Sequence, residues 1–209
     1  MCGFVGFTGT DEQSELVLTA MMNRIIHRGP DMGGQHIVDN VALGFRRLSI
    51  LDLSEAGAQP MSSDDGKVTI VFNGEIYNFQ ELRAELEAAG YAFHCNADTE
   101  VLVHGYEEWG EDLVNRLRGM YAFVIHDQNK NKPFYYYQAS DGSLLFGSEI
   151  KSFLDHPKFE KAVNHDALRP YLTLQFPATE ETFFKGVFKL APAHCFTYDL
   201  TTNTMDIKR

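Results

Sequence analysis

An α+β fold built from antiparallel strands is what this sequence predicts, on three observations. Apolar, β-branched and aromatic runs come in clusters separated by helical stretches rather than alternating with them one for one, unlike a parallel βαβ repeat. Hydrophobic residues make up 44% of the chain, and 16 Phe and 9 Tyr suit a strand-rich globular domain rather than disorder. At 209 residues the chain can bury about 70% of its unfolded surface without a disulfide or metal staple. A single sheet with helices on one face is the other architecture that the pattern allows.

The elements follow in order. Phe4, Val5 and Phe7 read as a buried first strand, with Gly3 and Gly6 permitting close backbone approach. Asp11 to Arg28 reads as a helix with Leu16, Ala20 and Ile25 on its apolar side, stopped by Gly29-Pro30. Gln35 to Phe45 is a strand region broken by the turn pair Asp39-Asn40, and residues 56–66 read as loop. Val68 to Phe72 is a strand running into Asn73-Gly74, and Phe79 to Ala89 is a helix closed by Gly90. A short strand is expected at Tyr91 to His94, a helix at Thr99 to Trp109 packing Val101, Leu102 and Tyr106, and a shorter helix at Asp112 to Leu117. Met120 to His126 and Phe134 to Tyr137 are strands, and Asp141-Gly142 turns the chain into Leu144 to Phe146. Short helices are expected at Ile150 to Leu154 and Asp166 to Leu172. Phe183 to Leu200 reads as closing strands, with Pro192 in a turn.

Composition narrows the function. A formal charge of −11 argues against a general nucleic-acid or anionic-membrane surface, which leaves small molecules or protein as partners. Three cysteines, Cys2, Cys95 and Cys195, form no CxxC pair and no zinc-type spacing with histidine, a pattern of the reducing cytoplasm. No secretory leader opens the chain, and no run of about 18 apolar residues occurs. Neither a phosphate-binding glycine loop nor a metal-ligand cluster is evident, so no cofactor is expected in this domain.

The residue with the most chemistry is Cys2. Cysteine is small enough for initiator-methionine removal, after which thiol and α-amine share one residue. An α-amine has a pKa of about 7.7–8, so it is a poised base near neutral pH where a lysine is almost wholly protonated. Asn73-Gly74 alone reads most simply as a turn. Arg46-Arg47 reads as solvated charge, and in an extended segment the two side chains point opposite ways. Asp98 reads as a helix N-cap. His27 and Arg28, in a Gly-Pro loop, read as structural.

Taken together, Cys2-Gly3-Phe4-Val5-Gly6, His27-Arg28-Gly29-Pro30-Asp31, Arg46-Arg47-Leu48-Ser49-Ile50-Leu51-Asp52, Phe72-Asn73-Gly74-Glu75-Ile76-Tyr77-Asn78 and Asp98-Thr99-Glu100 resemble, in order and spacing, the glutamine amidotransferase domain of the asparagine synthetase family. That domain is an N-terminal-nucleophile hydrolase. The resemblance runs from Cys2 to about Leu200, and implies a four-layer αββα sandwich of two antiparallel sheets between helix layers. It implies that residues 1–209 form one glutaminase domain that hydrolyses L-glutamine to glutamate and ammonia. Cys2 would be the nucleophile and Asn73 and Gly74 the oxyanion donors. Arg47 would hold the substrate α-carboxylate and Asp98 its ammonium, with Glu75, Ile50 and Leu51 as supporting contacts. Arginine suits the carboxylate because its fork offers two parallel N–H groups.

The sequence departs from the family pattern in two places. An arginine-aspartate and glycine-containing segment expected before the Lys-Pro-aromatic stretch is missing between Asn131 and Lys132: a true deletion there would shorten a sheet, and the other reading is that the natural protein carries further residues at this point. No Ser-Gly-Gly pyrophosphate loop occurs, so ATP and Mg are expected only in a synthetase domain outside this chain. L-glutamine and that synthetase domain are the expected partners, with a homodimer left open. Two other readings stand beside the glutaminase: a glutamine-binding or scaffold domain without turnover, and an amidase for another amide.

Overall fold

The computed structural model describes residues 2–48, 57–127, 130–131, 135–175 and 179–209. In chain order the strands are β1 (Gly3–Thr8), β2 (Met32–Val38), β3 (Val41–Arg47), β4 (Met61–Ser62), β5 (Val68–Ile76), β6 (Gly119–Asp127), β7 (Lys130–Asn131), β8 (Tyr135–Gln138), β9 (Leu144–Gly147), β10 (Val187–Lys189), β11 (Cys195–Asp199) and β12 (Thr204–Lys208). The α-helices are α1 (Ser14–Arg24), α2 (Phe79–Ala89), α3 (Asp98–Trp109), α4 (Leu113–Arg116) and α5 (His165–Leu174). One sheet runs β10-β8-β9-β1-β3-β2 and the other β12-β11-β7-β6-β5-β4, and neighbouring strands pair antiparallel.

Alternation along the strands builds three apolar layers. Val5 and Phe7 of β1 face Leu18, Met21, Met22 and Ile25 around α1. Phe4 turns to the opposite side and meets Leu43, Phe45, Val71, Val124, Phe196 and Tyr198 between the sheets. Beyond the second sheet, Ile70, Phe72 and Ile125 pack on Leu82, Leu86, Val101 and Leu102 of α2 and α3. Helix, sheet, sheet, helix is therefore the layer order, as the four-layer αββα reading requires. Phe4 is 0% exposed. Burying such a side chain stabilises by about 1.5–3 kcal/mol, which anchors the strand two residues after Cys2.

Several expectations need correction. The first helix covers Ser14–Arg24, followed by a 3-10 turn at Ile26–Arg28. Its buried face is Leu18, Met21 and Met22, continued by Ile25, while Leu16 is 74% exposed; Ile25 belongs to the apolar side as expected, but Leu16 lies off it. Tyr91 to His94 is not a strand, because its donors are spent elsewhere. Tyr91 N–H closes α2 on Leu86 O at 3.0 Å, after Gly90 turns the chain with a positive φ of 104°, and His94 N–H goes to a carboxylate of α3. Met61–Ser62, within the expected loop, pairs with Ile70 and Thr69 at the sheet edge. Asn73 and Gly74 are not a turn but interior residues of β5, opposite Ala122 and Tyr121. A strand after Leu200, β12, pairs with β11 although the sequence pattern gives no sign of it. The junction between Asn131 and Lys132 falls at the border of the described residues, and residues 132–134 lie outside them.

Candidate functional site

Cys2 is half-buried at the head of β1. The register that sets Gly3 opposite Arg46 brings the end of β3 over it. Its sulfur accepts from Leu48 N–H at 3.4 Å and donates to Leu48 O at 3.6 Å. Behind it, Phe4 N–H donates to Ser148 Oγ at 3.0 Å and Phe4 O accepts from Ser148 N–H at 2.9 Å, which fixes the strand against the residues after β9.

Arg28 joins the pieces around the thiol. Its Nε donates to Cys2 O at 2.9 Å, and its Nη1 pairs with Glu149 Oε1 at 3.1 Å. The Asn73 carboxamide, turned the way that satisfies both its ends, donates to Cys2 O at 3.1 Å and accepts from Arg28 Nη2 at 3.3 Å. A guanidinium thus bridges the main chain of Cys2, an amide of the second sheet and a carboxylate. Glu149 also meets His27 at 3.0 Å and Lys151 at 3.0 Å. Burial pushes its carboxyl up, but hydrogen bonds from Lys151, Arg28 and His27 hold it below the usual carboxylate range. Asn73 reaches the first sheet because strand alternation aims Val71, Asn73 and Glu75 to the inter-sheet side. Gly74 sits against β6: a Cβ there would come within 2.5 Å of Met120 O and Tyr121 Cα.

Arg46 and Arg47 point apart, as an extended segment demands. Arg46 turns to the end of α1, donating to Met22 O at 3.4 Å and Asn23 Oδ1 at 2.6 Å. Arg47 is buried, 8% exposed, with Nη1 at 3.7 Å from Met32 Sδ. A Cβ on Gly57 would lie 3.0 Å from Arg47 Nη2 and 3.6 Å from Ala97 Cβ, so Gly57 is the spacer between the guanidinium and the residue before Asp98.

Asp98 opens α3 as its first residue, Ala97 holding the cap position, and its Oδ2 accepts from Ile76 N–H at 3.0 Å. This is a tie to the end of β5 rather than an N-cap. Burial raises its pKa, the Ile76 N–H bond opposes that, and repulsion from Glu75 adds to the rise, leaving it at about 6. Ile50 and Leu51 lie outside the described residues.

The structure therefore gathers Cys2, Asn73 and the end of β3 in one place, and Asp98 and Glu75 at the end of the strand that carries Asn73. Arg28 and Gly57 are contributors to which the sequence pattern assigns no part there. Among the described residues no group of three or more His, Cys, Asp and Glu could hold a metal ion, and no helix is long and apolar enough to cross a membrane. A cleft of about 990 Å³ lined by Met120, Tyr121, Pro192, His194 and Lys208 includes none of Cys2, Arg47, Asn73 or Asp98.

A glutamine amidotransferase domain model matches residues 1–208. The chain is 41% identical over 214 residues to asparagine synthetase [glutamine-hydrolyzing] 1 of Bacillus subtilis, with 94% of this chain and 33% of that protein aligned. It is 33% identical to the amidase chry2 of Gibberella zeae, over 93% of this chain and 32% of the other. The chain thus spans about a third of the length of the curated relatives it matches. Among solved structures, the glutamine phosphoribosylpyrophosphate amidotransferase of B. subtilis superposes with a TM-score of 0.71 at 18% identity, over all of this chain and 49% of that one. At that identity the likeness is one of fold.

Proposed function

Because the chain belongs to the glutamine amidotransferase domain family, we propose that it hydrolyses L-glutamine to glutamate and ammonia, with Cys2 as nucleophile. The observation that carries this reading is the Asn73 carboxamide held on Cys2 O by Arg28, which puts an amide donor one residue's breadth from the thiol. With Met1 removed, the α-amine of Cys2 takes the thiol proton, directly or through a water. The sulfur then attacks the side-chain amide carbon, and the carbonyl electrons move to oxygen. An Asn side chain has two N–H donors; one serves Cys2 O, and the second, with Gly74 N–H, serves the oxyanion. Collapse expels ammonia, which carries off the proton held by the amine, and leaves a thioester. Water then adds to the thioester, releasing glutamate and restoring the thiol.

The substrate's charged ends are held by Arg47 at the α-carboxylate and by Asp98, with Glu75, at the ammonium; Ile50 and Leu51 would add backbone contacts. The buried Arg47 and half-buried Asp98 support a site for a zwitterion rather than for a neutral amide. No cofactor takes part in these steps. The ammonia would pass to a synthetase domain using ATP and Mg in a longer parent protein, in the cytoplasm, where three cysteines without a CxxC pair fit.

The test is glutamate release by chain processed at Met1. Cys2→Ala abolishes it and Cys195→Ala keeps it. Asn73→Ala lowers kcat by about 10²–10³, the usual cost of one oxyanion donor. Turnover that survives Cys2→Ala would sink the reading.

A further inference from the structure

The turn before α3 is wired to one buried carboxylate that the proposed chemistry does not use. Glu100 is 7% exposed. It accepts from His94 N–H at 2.7 Å, Cys95 N–H at 2.9 Å and the Cys95 thiol at 3.1 Å. Ala97 N–H in turn donates to Cys95 Sγ at 3.4 Å, and Arg83 Nη1 to Cys95 O at 2.8 Å. No side chain caps α3 at Ala97, where Ser, Thr, Asp or Asn would ordinarily do so. Glu100 stands at the third helical position, from which a glutamate can reach back to the cap; here it reaches further, to the two N–H groups that open the turn. Burial pushes its carboxyl up, yet the hydrogen bonds from His94 and Cys95 leave it below the usual range, so the bonds are charge-assisted. His104 Nε2 lies 3.8 Å from the same carboxylate.

Two residues before Glu100 stands Asp98, whose carboxylate must meet both Ile76 N–H and a substrate ammonium. We propose that Glu100 is a positioning residue for the ammonium end of the substrate: by holding the turn at residues 94–97 it sets where α3 begins and so where the Asp98 carboxylate lies. This rests on the glutamine reading above, and it makes selectivity for the α-amine depend on a side chain that never touches the substrate.

The readout is a preference, the ratio of kcat/KM for glutamine to that for 4-carbamoylbutanoate, which is glutamine without its α-amine. A residue that only stabilised the fold would lower both values together. Glu100→Gln is expected to reduce this preference by about fivefold or more, while the preference for glutamine over glutaminamide, which reports the carboxylate end, stays within about twofold. Glu100→Asp, which keeps the charge, should recover part of the loss. If Glu100→Gln does not fold, Cys95→Ala removes one bond to the carboxylate, and a preference lowered by about twofold or more supports the same role. An unchanged preference in the folded variant, in an assay where wild type turns over glutamine, overturns the positioning role alone. Wild type that releases no glutamate overturns the glutamine reading and this inference with it.

Discussion

The carboxylate of Asp98 accepts the N–H of Ile76 at 3.0 Å, which ties the proposed ammonium site to the end of the strand that carries Asn73 and Gly74. Burial and the neighbouring Glu75 push its pKa up to about 6. If the charged form holds the substrate ammonium, affinity for glutamine should be full well above pH 6 and fall as the carboxyl protonates through and below it. The ratio of kcat/KM for glutamine to that for 4-carbamoylbutanoate cancels the titration of the catalytic amine, and should drop with an apparent pKa near 6. A ratio flat from pH 5 to 8 would remove Asp98 from the ammonium site.

The same raised pKa bears on stability. A carboxyl whose folded pKa lies above its unfolded value binds protons more tightly when folded, so its charge destabilises the fold above pH 6 and that penalty is relieved as pH falls. Asp98→Asn should therefore raise the stability of the substrate-free chain at pH 7.5 by about 1–3 kcal/mol, with the gain vanishing by about pH 4. Urea melts at the two pH values check this; equal gains at both would contradict it.

Arg47 gives the complementary test. Glutaminamide lacks the negative charge that the guanidinium would hold, so Arg47→Ala should cost glutamine about 30-fold or more in kcat/KM and hardly touch the amidated analogue. Equal losses on the two substrates would mean that Arg47 holds the fold. Gly57→Ala should act in the same direction more mildly, since the new methyl would press on Arg47 Nη2 at 3.0 Å.

Gly74 is held closely by its neighbours on β6. A methyl at this position would lie 2.5 Å from Met120 O, and backbone cannot yield as a flexible side chain can. Gly74→Ala should destabilise by about 1–3 kcal/mol through overpacking, and should lower kcat by displacing the Asn73 strand. A thermal melt unchanged from wild type would show that β5 and β6 have more room than this geometry gives them.

Much of the fold is legible in the residues alone. Phe79–Ala89, bounded by Gly90, reads as a helix from composition and stop signal, and Val68 to Phe72 reads as a strand from β-branched and aromatic residues. Cys2 stands out because its chemistry depends only on its place in the chain. Local pattern fails where a distant partner decides. Tyr91 to His94 looks like a strand, but its donors belong to Leu86 O and Glu100. Asn73-Gly74 looks like a turn, and only pairing with Ala122 and Tyr121 makes it strand. Arg28 joins Cys2, Asn73 and Glu149 across separations of 26, 45 and 121 residues, which no window along the sequence spans. Gly57 matters only because Arg47 and Ala97 close on it in space.

The measurement that bears most directly on Cys2 is covalent labelling by the glutamine analogue 6-diazo-5-oxo-L-norleucine, read by intact mass and peptide mapping on protein shown to have lost Met1. Cys95 is buried with its thiol on Glu100, and Cys195 belongs to β11 in the other sheet. One adduct is expected, on Cys2, and excess glutamine should prevent it. Label on Cys95 or Cys195, or no label on the processed chain, would contradict it.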